Sequence, residues 1–147
     1  MVALRALVVF PLTVQGDSME PTLGGGDVVL ISRWSAGVGS FERGDLVVFG
    51  DPDGELSLKR VVGLSGDSVA IQDGVLVVDG TAPVEPYADP QLIDAAYFGP
   101  VVVGPSSVFV LGDNRATSID SRDYGAVDLD HVAGRVVLRL WPPGTAG

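Results

Sequence analysis

The feature that most constrains the fold of this chain is a series of short apolar runs, each bounded by glycine, aspartate or proline. Residues 28–31 (VVLI), 46–49 (LVVF) and 108–111 (VFVL) are examples, and all are rich in β-branched residues. Such runs are typical of strands that end at turns. No long segment shows the 3.6-residue apolar period of a helix. The sequence therefore predicts a mainly β fold, and we expect a coiled, partly open β-barrel.

Length, charge and cysteine content exclude several classes of protein. The chain has 147 residues, which is enough for one domain with its own core. Its 19 acidic residues against 9 basic ones give a net charge of −10, which argues against nucleic acid as a partner. Because the chain has no cysteine, thiol catalysis and cysteine-based metal sites are excluded.

The stretch GDSMEPTL, residues 16–23, holds the first candidate functional residue, Ser18. Gly16 and Asp17 before it and Pro21 after it favour a tight exposed bend between two apolar strands. A serine on such a bend can present its hydroxyl to a cleft, with backbone N–H groups nearby to bind an anion. An ordinary turn serine is the alternative at this point.

A nucleophilic serine needs a base, and the composition leaves few candidates. The chain has one lysine, Lys59, and one histidine, His131, while arginine stays charged and cannot serve. Lys59 lies in an apolar run, LSLKRVVGL, where burial would lower the pKa of its amine and favour the neutral form. His131 lies in an acidic, turn-like stretch, LDHVAG. A Ser-Lys pair and a Ser-His pair therefore both remain open on the residues alone.

Four segments of the chain together carry a family resemblance. They are GDSMEPTL (16–23), RGDLVVF (43–49), LKRVVGLSGDSV (58–69) and VFVLGDNRATSIDSRDYG (108–125). In this order they resemble the signature segments of type I signal peptidases. The resemblance implies a membrane-bound serine endopeptidase that removes signal peptides from exported preproteins, with Ser18 as nucleophile and Lys59 as base.

The resemblance also implies supporting residues in the fourth segment. These are Ser118, Asp120, Arg122, Gly112 and Asp113. Ser118 would hydrogen-bond to the lysine amine, Asp120 and Arg122 would form an ion pair behind the site, and Gly112 and Asp113 would shape the wall near Lys59. The acidic spacing of this segment does not match a calcium loop, so we expect no metal and no cofactor.

The implied substrate is an extended peptide with small residues one and three positions before the cut, added as a strand beside the site. The residues expected to bind it are Val14, Gln15, Gly16, Met19, Leu23, Val29 and Leu58. Some members of the family carry a serine at the position of Gly16, and its hydroxyl helps to bind the oxyanion. Here that second donor must come from the backbone, from water, or not at all.

The expected organisation is a catalytic core formed by residues 1–69 and 108–147, with a smaller inserted β region at 70–107. Residues 1–14 are apolar but too short to span a bilayer. We expect a membrane-proximal strand there, with Val8, Phe10 and Leu12 exposed on one face. The resemblance implies a location at the extracytoplasmic face of the cell membrane, and the sequence leaves open whether an anchor is missing or naturally absent.

Two alternatives remain at this stage. A related Ser-Lys peptidase could mature one dedicated partner protein, and a β-rich module could bind a ligand without catalysis. The second leaves the four ordered segments unexplained.

Overall fold

The structure, a computed structural model, describes residues 8–33, 41–88 and 97–144. These residues form ten strands, one short helix and a 3₁₀ turn at Leu129–His131. The strands are β1 (Val9–Thr13), β2 (Val28–Ser32), β3 (Leu46–Gly50), β4 (Leu56–Leu64), β5 (Ser68–Gln72), β6 (Val75–Val78), β7 (Phe98–Val102), β8 (Ser107–Leu111), β9 (Val127–Asp128) and β10 (Val132–Trp141), and the helix is α1 (Ser121–Tyr124). The prediction of a mainly β chain is confirmed.

The strands form two antiparallel sheets. The larger has seven strands in the order β1-β2-β10-β3-β4-β8-β9, and the smaller has three in the order β6-β5-β7. Within the described part of the chain the end strands β1 and β9 do not pair, so the larger sheet is not a closed barrel. This agrees with the predicted open arrangement. Among the described strands, one edge of β1 has no neighbour.

The smaller sheet packs against strands β4 and β8 of the larger one. Val62 of β4 and Phe109 of β8 share a buried cluster with Val69 and Ile71 of β5. Gly63 permits this close approach, because a Cβ there would lie 2.6 Å from the Val69 side chain. All three strands of the smaller sheet lie between Ser68 and Val102, and whether residues 70–107 form an inserted region with its own boundaries stays a prediction.

The first strand corrects one expectation from the sequence. Phe10 and Leu12 are partly buried and pack against the core, while the outward face of β1 carries Val9, Pro11 and Thr13. The segment is apolar at almost every position, so the sequence pattern could not show which face turns inward. Residues 1–7 lie outside the described residues. No helix in the described part of the chain is long and apolar enough to cross a membrane.

Candidate active site

Ser18 lies on the bend between β1 and β2. The bend is closed by two backbone hydrogen bonds, from Glu20 N–H to Asp17 O at 3.1 Å and from Leu23 N–H to Met19 O at 3.0 Å. Met19 and Leu23 are fully buried and hold the bend to the core, while Ser18 remains half-buried at its surface. These contacts fix the position of the Ser18 hydroxyl where the chain reverses direction.

Lys59 reaches this bend from β4, which pairs with β3 on one side and β8 on the other. Its Nζ lies 3.0 Å from Ser18 Oγ. The side chain is 5% exposed. Because β4 is paired on both edges, the backbone of Lys59 is held in place. The groups predicted as nucleophile and base, Ser18 Oγ and Lys59 Nζ, therefore lie within hydrogen-bond distance.

Burial shifts the pKa of this amine. Desolvation lowers the pKa of Lys59, because the ammonium form loses its hydration inside the protein. The carboxylates of Asp120 and Asp51 act in the opposite direction and raise it, but burial is the larger effect. The net direction favours a neutral amine, which is the form that can accept a proton.

Two further groups surround the Lys59 amine. Ser57 Oγ lies 3.3 Å from Nζ, and the carbonyl oxygen of Leu58 lies 3.2 Å from it. Ser57 is two residues before Lys59 in the same strand, so both side chains are on one face. Ser57 is not among the residues predicted from the sequence, although the two-residue period of the strand was a signal that could have found it.

The structure corrects the predicted contact between Ser118 and Lys59. Ser118 Oγ is buried and has no hydrogen-bond partner in the described part of the chain. Its side chain instead fills the space beside Gly112, where an added Cβ would overlap the Ser118 side chain and lie 2.6 Å from Ser18 O. Ser57 occupies the position near the amine that the resemblance gave to Ser118.

The segment around Gly112 packs directly behind Ser18. Gly112 N–H donates to Asp120 Oδ2 at 3.0 Å, and Asn114 N–H donates to Ser18 O at 3.0 Å. Asp120 is fully buried, accepts hydrogen bonds at 2.9 Å from the Arg122 guanidinium, and caps the first turn of α1. The ion pair that the resemblance implied for Asp120 is therefore present behind the site.

Asp113 forms a second ion pair, with Arg60. The Arg60 guanidinium binds both Asp113 carboxylate oxygens, at 2.9 and 2.8 Å, and Thr22 Oγ donates to Asp113 at 2.6 Å. Both charged side chains are almost completely buried. Because Arg60 follows Lys59 in β4 and Thr22 lies in the same bend as Ser18, Asp113 links the two segments that carry Ser18 and Lys59.

Two adjoining clefts open beside Ser18. The first, of about 610 Å³, is lined by apolar residues together with Ser18 and Lys59. Its lining residues are Leu12, Thr13, Val14, Gln15, Ser18, Met19, Asp51, Glu55, Leu56, Ser57, Leu58 and Lys59. The second, of about 500 Å³, shares Gln15, Ser18, Asp51, Ser57 and Lys59 with the first and also includes Gly16.

Most predicted substrate-binding residues line one of these clefts, but two do not. Leu23 and Val29 are completely buried in the core beneath the bend. They support Val14 and Met19 from behind and cannot touch a peptide in the cleft. His131 is exposed, lies in the 3₁₀ turn after β9, and lines neither cleft. No cluster of potential metal ligands occurs among the described residues.

Comparison with known proteins places this geometry in a family. The family model for signal peptidase, peptidase S26, matches residues 1–141. The chain belongs to the signal peptidase family, peptidase S26. It is 37% identical to signal peptidase I of Bacillus caldolyticus, over 95% of this chain and 83% of that protein. It is 34% identical to signal peptidase IB of Staphylococcus aureus, over 92% of this chain and 79% of that protein.

A solved structure agrees with this membership. A crystal structure of a signal peptidase I from Enterococcus faecalis superimposes with a TM-score of 0.58 and 28% identity, and the match covers 67% of this chain and 97% of that one. The predicted family is therefore confirmed, and so is the prediction of a serine endopeptidase that cleaves signal peptides.

Proposed function

We propose that Ser18 and Lys59 are the catalytic dyad by which this signal peptidase cleaves its substrates. The observation that carries the proposal is the distance of 3.0 Å between Ser18 Oγ and a buried lysine amine. A neutral amine has two N–H groups and one lone pair. Leu58 O can only accept and Ser57 Oγ takes the other N–H, so the lone pair is left to accept the Ser18 hydroxyl proton.

The proposed reaction follows from this arrangement. Lys59 Nζ takes the proton of Ser18 as Oγ attacks the scissile carbonyl, and the Ser18 N–H stabilises the oxyanion. The resulting ammonium protonates the leaving amine as the peptide bond breaks, leaving an ester on Ser18. Lys59 then takes a proton from a water that attacks this ester and returns it to Ser18 Oγ as the acid is released.

The substrate we propose is the cleavage region of a signal peptide, bound as an extended strand beside the unpaired edge of β1. Val14, Met19 and Leu58 line the apolar side of the first cleft. All three belong to the packed core, so the pocket that they form next to Ser18 is shallow. Small side chains fit there, and large ones meet the core.

The experiment that tests the dyad compares variants on a preprotein substrate. Ser18→Ala and Lys59→Ala each abolish cleavage, and Lys59→Arg also fails because a guanidinium cannot accept the proton. His131→Ala is the control and retains activity. An inactive His131→Ala beside an active Lys59→Ala would refute the dyad.

A substrate panel tests the pocket and the breadth of the activity. Alanine immediately before the cut supports cleavage, and phenylalanine at the same position blocks it. Equal turnover of the two substrates would contradict the shallow pocket. Cleavage of several unrelated preproteins is expected, whereas cleavage of one alone would indicate a peptidase dedicated to a single partner.

We also propose that the protein acts at a membrane surface, on the extracytoplasmic side where exported preproteins emerge. Exposed apolar side chains support this: Val8 and Val9 at the start of β1, and Val137, Leu138, Leu140 and Trp141 on β10. Such side chains can insert shallowly between lipid headgroups. Because the net charge is −10, binding should not depend on anionic lipids.

Co-sedimentation with neutral vesicles measures this binding. The wild-type chain sediments weakly with the vesicles, and Leu140→Glu combined with Trp141→Glu abolishes the association. Leu56→Glu, at an exposed apolar position on β4, serves as the matched control. Identical behaviour of all three proteins would refute the assignment of this surface.

A further inference from the structure

The peptide unit between Asp17 and Ser18 is bonded at only one of its two ends. Its carbonyl oxygen accepts two hydrogen bonds, from Glu20 N–H at 3.1 Å and from Asn114 Nδ2 at 3.2 Å. Its N–H belongs to Ser18, and no acceptor in the described part of the chain takes it. A backbone N–H beside the nucleophile is thus free to bind an incoming group.

The hydrogen bonds to the Asp17 carbonyl oxygen determine where the Ser18 N–H points. The bond between Asp17 and Ser18 is a trans peptide, so its C=O and N–H are coplanar and point in opposite directions. Holding the oxygen therefore also sets the direction of the N–H. Hydrogen bonds to a carbonyl polarise the amide as well, which strengthens the N–H as a donor.

Asn114 binds this peptide unit with its side chain and the next one with its backbone. It is the only asparagine of the chain and is 5% exposed. Its side chain binds the carbonyl before Ser18, while its backbone N–H binds the carbonyl of Ser18 itself at 3.0 Å. Its Oδ1 is buried and has no hydrogen-bond partner in the described structure. The hydrogen bond from Nδ2 to Asp17 O is therefore the one that the side-chain amide makes there.

The loop that carries Asn114 is itself anchored on both sides. Asp113 binds Arg60, and the Arg115 guanidinium binds Gly112 O at 2.8 Å and both carboxylate oxygens of Glu85. Asn114 O also accepts from Ser118 N–H at 3.0 Å. The position of the Asn114 amide is therefore set by contacts that are independent of the bend.

We infer that Asn114 is a positioning residue for the oxyanion site, which it serves by aiming the Ser18 N–H at the developing oxyanion. The inference rests on the proposed dyad and extends it. Asn114 does not touch the substrate. It acts through the peptide unit whose N–H does, at a site where Gly16 provides no side-chain donor.

The test uses a pair of inhibitors that differ in one group. A peptide aldehyde with the sequence that precedes the cut adds reversibly to Ser18: a bond forms from Oγ to the aldehyde carbon, and the serine proton moves to Lys59. The former carbonyl oxygen then occupies the oxyanion site. The matching peptide alcohol binds the same cleft but forms no such oxyanion.

For Asn114→Ala we expect kcat to fall about 10- to 100-fold with little change in KM, less than the 100- to 1,000-fold cost of deleting an oxyanion donor outright. Affinity for the aldehyde should fall by a similar factor, and affinity for the alcohol should stay within about twofold of wild type. A change of less than about twofold in kcat, or equal weakening of both inhibitors, would overturn the inference.

Two further variants keep the test decisive. Asn114→Asp has the same shape but places a carboxylate oxygen where the amide nitrogen faces Asp17 O. It should therefore show the same loss of kcat and of aldehyde affinity as Asn114→Ala. This variant provides the test if the alanine variant does not fold. Thr22→Val loosens the same loop at Asp113 without touching the Asp17–Ser18 peptide unit. Thr22→Val should leave the ratio of aldehyde to alcohol affinity unchanged. A change of that ratio as large as the one in Asn114→Ala would overturn the inference. An active Ser18→Ala would instead refute the dyad itself.

Discussion

The buried ion pair between Arg60 and Asp113 offers a quantitative test of how the site is held together. The two side chains are 3% and 0% exposed, and they are joined by two hydrogen bonds of 2.9 and 2.8 Å. Asp113→Asn keeps the shape of the side chain but removes its charge. It also turns an NH₂ group toward Arg60 or Thr22, both of which are donors at this point.

The expected loss of stability follows from the burial of the remaining charge. Removing one partner of a buried ion pair costs about 3–5 kcal/mol, because the other charge is left uncompensated. A protein of this size has a total stability of about 5–15 kcal/mol. At about 2–4 °C per kcal/mol, the melting temperature should fall by about 6–20 °C. The variant should therefore fold but unfold much more readily.

Urea unfolding followed by far-ultraviolet circular dichroism measures this loss, and the chain offers a matched control. Asp79 pairs with Arg43 at 3.3 Å, and both side chains are about half exposed. Asp79→Asn should cost less than about 1 kcal/mol, because solvent screens an exposed pair. Equal losses in the two variants, or a loss below about 1 kcal/mol for Asp113→Asn, would refute the argument from burial.

Two further predictions concern the lysine. Ser57→Ala should lower kcat about 2- to 10-fold with KM unchanged, as expected for one lost hydrogen bond, and Ser57→Thr should restore kcat. The control is Ser68→Ala, at a half-buried strand serine of the smaller sheet. An unchanged kcat in Ser57→Ala would contradict the contact. Asp51→Asn removes a carboxylate that raises the pKa of Lys59, so the acid limb of the profile of kcat/KM against pH should move to lower pH, while Asp73→Asn should leave it in place. A shift to higher pH would contradict the electrostatic assignment.

The strands were predictable because their signals are local. The apolar run at residues 75–78 follows an Asp-Gly turn in which Asp73 adopts a φ of +55°, and this run is strand β6. The chain length, the β-branched runs and the turn residues sufficed for the fold class. The inward face of β1 was not predictable, because Phe10 and Leu12 alternate with residues that are also largely apolar.

The site was less predictable because its contacts join distant parts of the chain. The apolar setting of Lys59 indicated a lowered pKa, but only the family resemblance paired it with Ser18. Ser57 was within reach of a local argument, since it lies on the same face of β4 as Lys59. The contact of Asn114 with Asp17 was not, because it spans 97 residues and depends on a loop that no periodicity describes.

The arrangement separates the two requirements of a serine–lysine site. The proposed base needs a dry environment, and Lys59 has it on β4, an interior strand of the larger sheet, where burial lowers the pKa of its amine. The proposed nucleophile needs access to substrate, and Ser18 has it from a half-buried position on the bend between β1 and β2. The segment from Gly112 to Arg115 resolves this conflict by binding the bend from behind, through Asp113 to Thr22 and through Asn114 to the backbone on both sides of Ser18. Because Asp113 also binds Arg60, one short segment sets the distance between a buried base and an accessible nucleophile.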